Sequence, residues 1–332
     1  GHTFLLSIIL GVVVALLGVR FVPDILSLFS VETAVYNQAL DYLLITFIIS
    51  PLALGLYMAH SVFRGLGRTD IPMIIALVVN VINVIGDFIL VYGLWGFPRM
   101  EVAGAALATS LAHVVGFILA MVFLFRGNSG LRVNLATIFK VNLSTYRGIF
   151  RLGIPSLTEQ FFYTIASLVS VYLIAYLGTL AFAAHELAIT VESVSYMPGF
   201  GIAVAATALV GHAVGARDKA ALQKAARGSI EFALLFMGVF TLIFALLPYQ
   251  IAAIFTNDPD IIALSGLLIR IAAIEQVGIA LSSVIGGILK GAGDTRTPMV
   301  ISTVYFWVYR LPLMYLFVRV FGFPITYVWL IF

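Results

Sequence analysis

The 332-residue sequence contains no cysteine. Disulfides, thiolate metal sites and cysteine nucleophiles are therefore excluded. Charge is scarce too: Asp, Glu, Lys and Arg make up 10% of the chain, against about 25% in an ordinary globular domain. No Gly-Lys-Ser/Thr string occurs, so the P-loop pattern is missing and ATP-driven chemistry has no support. The string His185-Glu186-Leu187-Ala188-Ile189 opens like a zinc-protease helix, but that motif needs a second histidine where Ile189 stands. The opening GHTFLLSIILG lacks the basic n-region and small-residue cleavage site of a signal peptide. The net charge of +3 is small and scattered, which argues against a nucleic-acid partner. No cofactor is implied, and nothing resembles an enzyme's catalytic constellation.

Hydrophobic residues, at 62%, stand where charge is missing. Apolar runs of about 20 residues recur and read as transmembrane helices. They fall near 4–21, 39–62, 71–93, 102–125, 152–177, 181–213, 229–247, 261–289 and 298–318, with a partial tenth from 324. The fold class is all-α and polytopic, with the lipid bilayer as its main partner. The sixth run is interrupted by Pro198, Gly199 and Gly201, so a kink or irregular stretch is expected there.

One cassette occurs twice: FRGLGRTDIPM at 63–73 and LKGAGDTRTPM at 289–299. Five of its eleven positions are identical, and Arg64 and Lys290 share a charge. The offset of 226 residues also relates Ile25 to Ile251 and Phe29 to Phe255. Duplication on this scale in a membrane chain is the architecture of a secondary transporter. The glycines suit a tight turn, Thr69 suits a helix cap, and Pro72 suits the first turn of the next helix.

The eighteen Lys and Arg residues fall unequally on alternating loops. Thirteen lie on one side, including Arg64, Arg68, Arg147, Arg151, Lys290 and Arg296; only Arg20, Arg99 and Arg319 lie on the other; Arg270 and Arg310 are within spans. The rich side is expected to be cytoplasmic. Equivalent points of both halves then face the same way, which makes the repeat parallel. Subtracting 226 from the start of the second half leads to an expectation that about two helices precede residue 1 and that the last helix continues past 332. The expected division is 1–126 as an N-lobe, 127–151 as a cytoplasmic linker and 152–332 as a C-lobe, giving two parallel pseudo-symmetric six-helix lobes in a 12-helix array.

Ionisable groups inside a membrane are costly and mark candidate sites. Asp87 leads, because its spacing from Asn83 and Asn80 puts all three on one helix face. The set suits a proton or a sodium ion, or else a buried hydrogen-bonding strut. Its offset partner is Leu313, so the second half has no equivalent. Glu159 is either an acid favoured by a helix N-terminus or part of a second ion or substrate site with Glu275, Gln276 and Arg310. Glu275 also suits an intrahelical pair with Arg270. Tyr163, Tyr196, Tyr305 and Tyr309 are candidate cavity-lining residues for aromatic or cationic compounds.

These motifs together resemble the multidrug and toxic compound extrusion (MATE) family. The twin cassettes look like its repeated L-R-G-x-G-D-T-x-x-P-M segments. Ala184-His185, Met197-Pro198, Gly201, Ala206-Thr207 and Val210-Gly211 resemble the segment after its seventh helix, and GIPSLTEQ at 153–160 and VAGAALAT at 102–109 fit as well. The resemblance spans the third to the twelfth helix. It implies two six-helix lobes and export of cationic, often aromatic compounds by exchange for H+ or Na+, in the inner membrane and as a monomer. Asn83 and Asp87 match the DinF-like branch's Asn and Asp, spaced by four. The alternative is a lipid or oligosaccharide flippase of the same superfamily.

Overall fold

The computed structural model describes residues 2–27, 32–126 and 143–332. Most of the expected linker thus lies outside the described residues. The structure falls into two compact units, Gly1–Tyr146 and Arg147–Phe332. The first holds helices α1 (His2–Ser27), α2 (Thr33–Gly65), α3 (Asp70–Tyr92) and α4 (Glu101–Phe125). The second holds α5 (Leu143–Ala175), α6 (Thr179–Gly215), α7 (Lys219–Leu246), α8 (Pro248–Phe255), α9 (Pro259–Gly291), α10 (Arg296–Val320) and α11 (Ile325–Trp329). Among the described residues, nine helices are long and apolar enough to cross a membrane. The large apolar side chains that cover their outer faces have lipid as their natural solvent.

The repeat is visible in the backbone. Helices α2 and α9 each run for 33 residues. At the end of α2, Gly67 N donates to Arg64 O at 3.0 Å and Arg68 N to Phe63 O at 3.0 Å. At the end of α9, Gly293 N donates to Lys290 O at 3.1 Å and Asp294 N to Leu289 O at 2.9 Å. Both are Schellman turns, with Gly67 at φ +74° and Gly293 at φ +89°, the left-handed region where glycine carries no steric penalty. Pro72 and Pro298 lie in the first turns of α3 and α10 as expected.

The caps differ from expectation. Thr69 and Thr295 sit at the N-caps in helical conformation, and neither side chain makes a capping bond. In the second copy Asp294 does this work, its Oδ1 accepting from Arg296 N at 3.1 Å and Thr297 N at 3.0 Å. Arg68 holds the equivalent place in the first copy and pairs instead with Asp70 at 2.9 Å.

Two further expectations change. Helix α6 runs unbroken for 37 residues through Pro198. A proline costs one backbone hydrogen bond, and the turns on both sides are held by buried Ser195, Gly199, Ala203 and Ala206. The irregularity lies in α10, where Tyr305–Arg310 and Leu316–Val320 form wide π turns. Pro312 supplies a reason for the first, since its ring crowds the carbonyl one turn earlier. The core of the second unit centres on α6 crossing α9, with Leu268, Ile269, Ala272 and Ala188 buried.

Candidate functional site

In the first unit, Asp87 is half-buried near the end of α3, and its Oδ1 is out of solvent with no hydrogen-bond partner among the described residues. Asn83, one turn earlier, uses its Nδ2 to donate to Thr109 Oγ1 on α4 at 3.0 Å. That leaves the Asn83 carbonyl oxygen as an acceptor. Asn80, a further turn away, is exposed. Sequence reading missed the neighbours on α2 and α4. His113 Nδ1 lies 2.8 Å from Thr109 O, and its ring meets Tyr57 edge-on.

In the second unit, Glu159 is not at a helix start, because α5 begins at Leu143 and carries the acid well inside. Its two oxygens lie 3.1 and 2.9 Å from Lys290 Nζ, the basic residue of the second cassette. This partly buried pair ties α5 to the end of α9. Among the described residues, the equivalent Arg64 donates within α2, to Ser61 Oγ at 3.0 Å.

Glu275 makes no ion pair with Arg270, which is exposed. Residues five apart point to different sides of a helix, so the intrahelical pair cannot form. Glu275 instead faces the interior, where Arg310 supplies the nearby positive charge. Gln276 is fully buried and makes two side-chain contacts to α6: Ser195 Oγ donates to its Oε1 at 2.8 Å, and its Nε2 donates to Glu192 Oε1 at 3.3 Å. Glu192 is 5% exposed, an acid within a span. Its pairing with Gln276, 84 residues on, has no helical periodicity to announce it. His185 is also buried, and its Nδ1 accepts from Trp329 Nε1 at 3.1 Å.

Tyr163, Tyr305 and Tyr309 join one aromatic chain through Phe306, whose ring lies 5.1 Å from those of Tyr163 and Tyr305. Tyr305 stacks on Tyr309, with centroids 5.7 Å apart, and donates to Phe332 O at 2.6 Å. Tyr163 meets Phe306 edge-on, while Tyr196 packs against Phe200. Tyr163 and Tyr309 are exposed and available to a ligand or lipid.

A family model, MatE, matches residues 1–89 and 155–316. The chain is 35% identical over 271 residues to the probable multidrug resistance protein NorM of Thermotoga maritima, covering 81% of this chain and 58% of that protein. It is 32% identical over 314 residues to the protein of the same name from Idiomarina loihiensis, covering 92% and 66% respectively. The chain thus spans only part of the length of these relatives. Among solved structures it resembles a MOP superfamily transporter from Pyrococcus furiosus, with TM-score 0.91 and 21% identity, covering 99% of this chain and 73% of that one. A multidrug resistance MATE family transporter in its outward-facing conformation gives the same TM-score, identity and coverage. Likeness at that identity speaks for the fold, and the family match speaks for descent: the chain belongs to the MatE family of multi-pass membrane transporters.

Proposed function

We propose that this chain forms most of a multidrug efflux transporter that exchanges H+ or Na+ for cationic and aromatic compounds. Family membership and relatives named as multidrug resistance proteins support efflux. The observation that carries ion coupling is Asp87, an acid within a membrane span with one buried carboxylate oxygen that has no hydrogen-bond partner among the described residues. Such an oxygen favours binding a proton or a small cation over remaining bare in a low-dielectric interior. The carbonyl oxygen of Asn83 is a second ligand of suitable chemistry, and Asn80 extends the polar face. Exposed Tyr163 and Tyr309 offer π faces to cationic substrates, with Tyr196 and Tyr305 beside them. Glu275, Gln276 and Arg310 add polarity behind that aromatic face. Transport follows when the ion and the drug prefer different conformations, so that binding one drives release of the other.

The test is Asp87→Asn in the whole protein, assayed for gradient-driven efflux of a fluorescent cationic drug. Efflux should fall at least about tenfold, as expected when a charge-assisted contact worth about 1.5–3 kcal/mol is lost, while thermal stability is kept. Undiminished export would refute the assignment. Lipid flipping without drug export would favour the flippase reading.

A further inference from the structure

Helix α6 ends in the same turn as the two cassettes. Arg217 N donates to Val214 O at 3.0 Å, and Asp218 N donates to Ala213 O at 3.0 Å. Gly67 and Gly293, each with the residue that follows, make the same pair of bonds. The turn needs a left-handed residue, and both cassettes supply glycine there. Here the residue is Arg217, at φ +56°. A side chain in that region crowds its own backbone, a cost that glycine avoids. Strain kept at an exposed position calls for a role of the side chain itself.

Lys219 and Lys224 follow within the first two turns of α7. All three cations are exposed, and among the described residues none forms an ion pair. The acids nearest in sequence are already engaged. Asp218 Oδ1 accepts from Ala221 N at 2.9 Å, which caps the helix, and Glu231 pairs with Arg227 at 2.6 Å. Positive charge is therefore left over on this surface.

Below it α7 is apolar. Ser229, Ala233, Met237 and Phe244 form its buried face. On the opposite face Phe232, Leu235, Val239, Leu242 and Leu246 are all more than half exposed, a stripe at helical spacing whose natural solvent is lipid. Lys224 continues that stripe, about three turns before Leu235. The apolar run of α7 begins near residue 229, so at 1.5 Å per residue Lys224 lies about 7.5 Å outside it. The polar layer of a bilayer is about 5–8 Å deep on each side of its hydrocarbon core. Lys224 is thus placed at the level of the lipid phosphates, and the side chains of Arg217 and Lys219 are long enough to reach back to it.

We propose that Arg217, Lys219 and Lys224 bind the headgroup phosphate of an anionic phospholipid whose acyl chains lie along the exposed stripe of α7. Charge and apolar surface act together in this site. A soluble anion would use only the cations, and a zwitterionic lipid would bring a cation of its own against them. This is the side that the positive-inside rule expects to be cytoplasmic, and the cytoplasmic leaflet is where anionic lipids give the membrane its negative surface. The site is separate from Asp87 and requires no ion coupling.

Native mass spectrometry of the whole purified protein in detergent tests it. Titrated with phosphatidylglycerol, the protein should retain at least one lipid under conditions that strip phosphatidylcholine of the same chains. Each cation near the membrane surface accounts for about a fivefold factor, so Lys224→Gln should weaken retention about fivefold. Arg217→Gln, Lys219→Gln and Lys224→Gln together should weaken it about a hundredfold. Arg20→Gln, on the other side, should change nothing. Arg217→Gly is the sharpest variant. Its melting temperature should be at or above the parent's, because glycine relieves the turn, yet it should hold phosphatidylglycerol less well. Where the triple variant fails to fold, Lys224→Gln and Arg217→Gly carry the same prediction. Equal retention of phosphatidylcholine, or unchanged retention of phosphatidylglycerol in both single variants, would overturn the proposal. Displacement of the lipid by millimolar inorganic phosphate would also overturn it, assigning the cations to a soluble anion.

Discussion

At the residue scale, the two cassette copies differ most usefully at one position, Arg68 against Asp294. The Asp294 carboxylate accepts from the Thr297 hydroxyl and from two backbone amides at the start of α10. These bonds, the Thr297 hydroxyl first, hold its carboxyl below the usual aspartate range. A depressed value in the folded state means a contribution to stability that is full above about pH 4, the ordinary aspartate value. It is lost as pH falls through the lower folded value. Asp294→Asn should therefore melt at a lower temperature than the parent at neutral pH, and the gap should close in acid. A gap that stays constant with pH would show that the cap does not depend on charge. The turn and its proline were legible in the sequence, because glycine and proline act through local backbone geometry. The cap was not, since threonine and aspartate both suit caps and only the local conformation chooses between them. The same limit hid the contact of Glu192: its partner Gln276 lies 84 residues away on another helix, and local pattern carries no such information. Asp87 could be named as a candidate from sequence because that argument needs only its own helix.

At the scale of elements, the α6–α9 crossing depends on small residues. A Cβ on Gly287 would lie 2.4 Å from Ala203 O, and one on Gly291 would lie 2.5 Å from Thr207 O. Thr207 Oγ1 also donates to Gly287 O across the crossing at 2.9 Å. Gly287 and Gly291 are four apart, the spacing that lets two membrane helices approach backbone to backbone. Gly287→Ala should cost about 1–3 kcal/mol, the range for overpacking a tight contact, and lower the melting temperature in detergent. Gly286, with nothing within 4 Å of a built Cβ, is the control. Its alanine variant should be neutral or stabilising, by up to about 1 kcal/mol from helix propensity. Equal loss from both would show that helix propensity, not the crossing, governs the response. Helix count was read well from composition, because nine long apolar runs have one stable form in lipid. Interruptions were read poorly. Pro198 and Pro312 look alike in sequence, yet only the second is preceded by π turns. What surrounds the helix decides whether a proline is absorbed or widens a turn.

At the scale of the molecule, the 226-residue offset is the strongest link between sequence and structure. It predicted that two turns would match, and Gly67 and Gly293 match in dihedral angle and in hydrogen bonding. The charge asymmetry predicts that both turns face the cytoplasm, and the absence of cysteine makes that prediction directly measurable. Single cysteines at Thr69 and Ala292 would report the two cassette turns, and one at Trp95 would report the loop between α3 and α4; all three residues are exposed. In intact cells, a membrane-impermeant maleimide should label Trp95→Cys and leave Thr69→Cys and Ala292→Cys unlabelled. In inverted vesicles the pattern should reverse. The two turns must behave alike, because a span between them that failed to cross would place them on opposite sides. Opposite labelling of Thr69→Cys and Ala292→Cys would make the repeat inverted. Its two copies would then be related by an axis in the membrane plane.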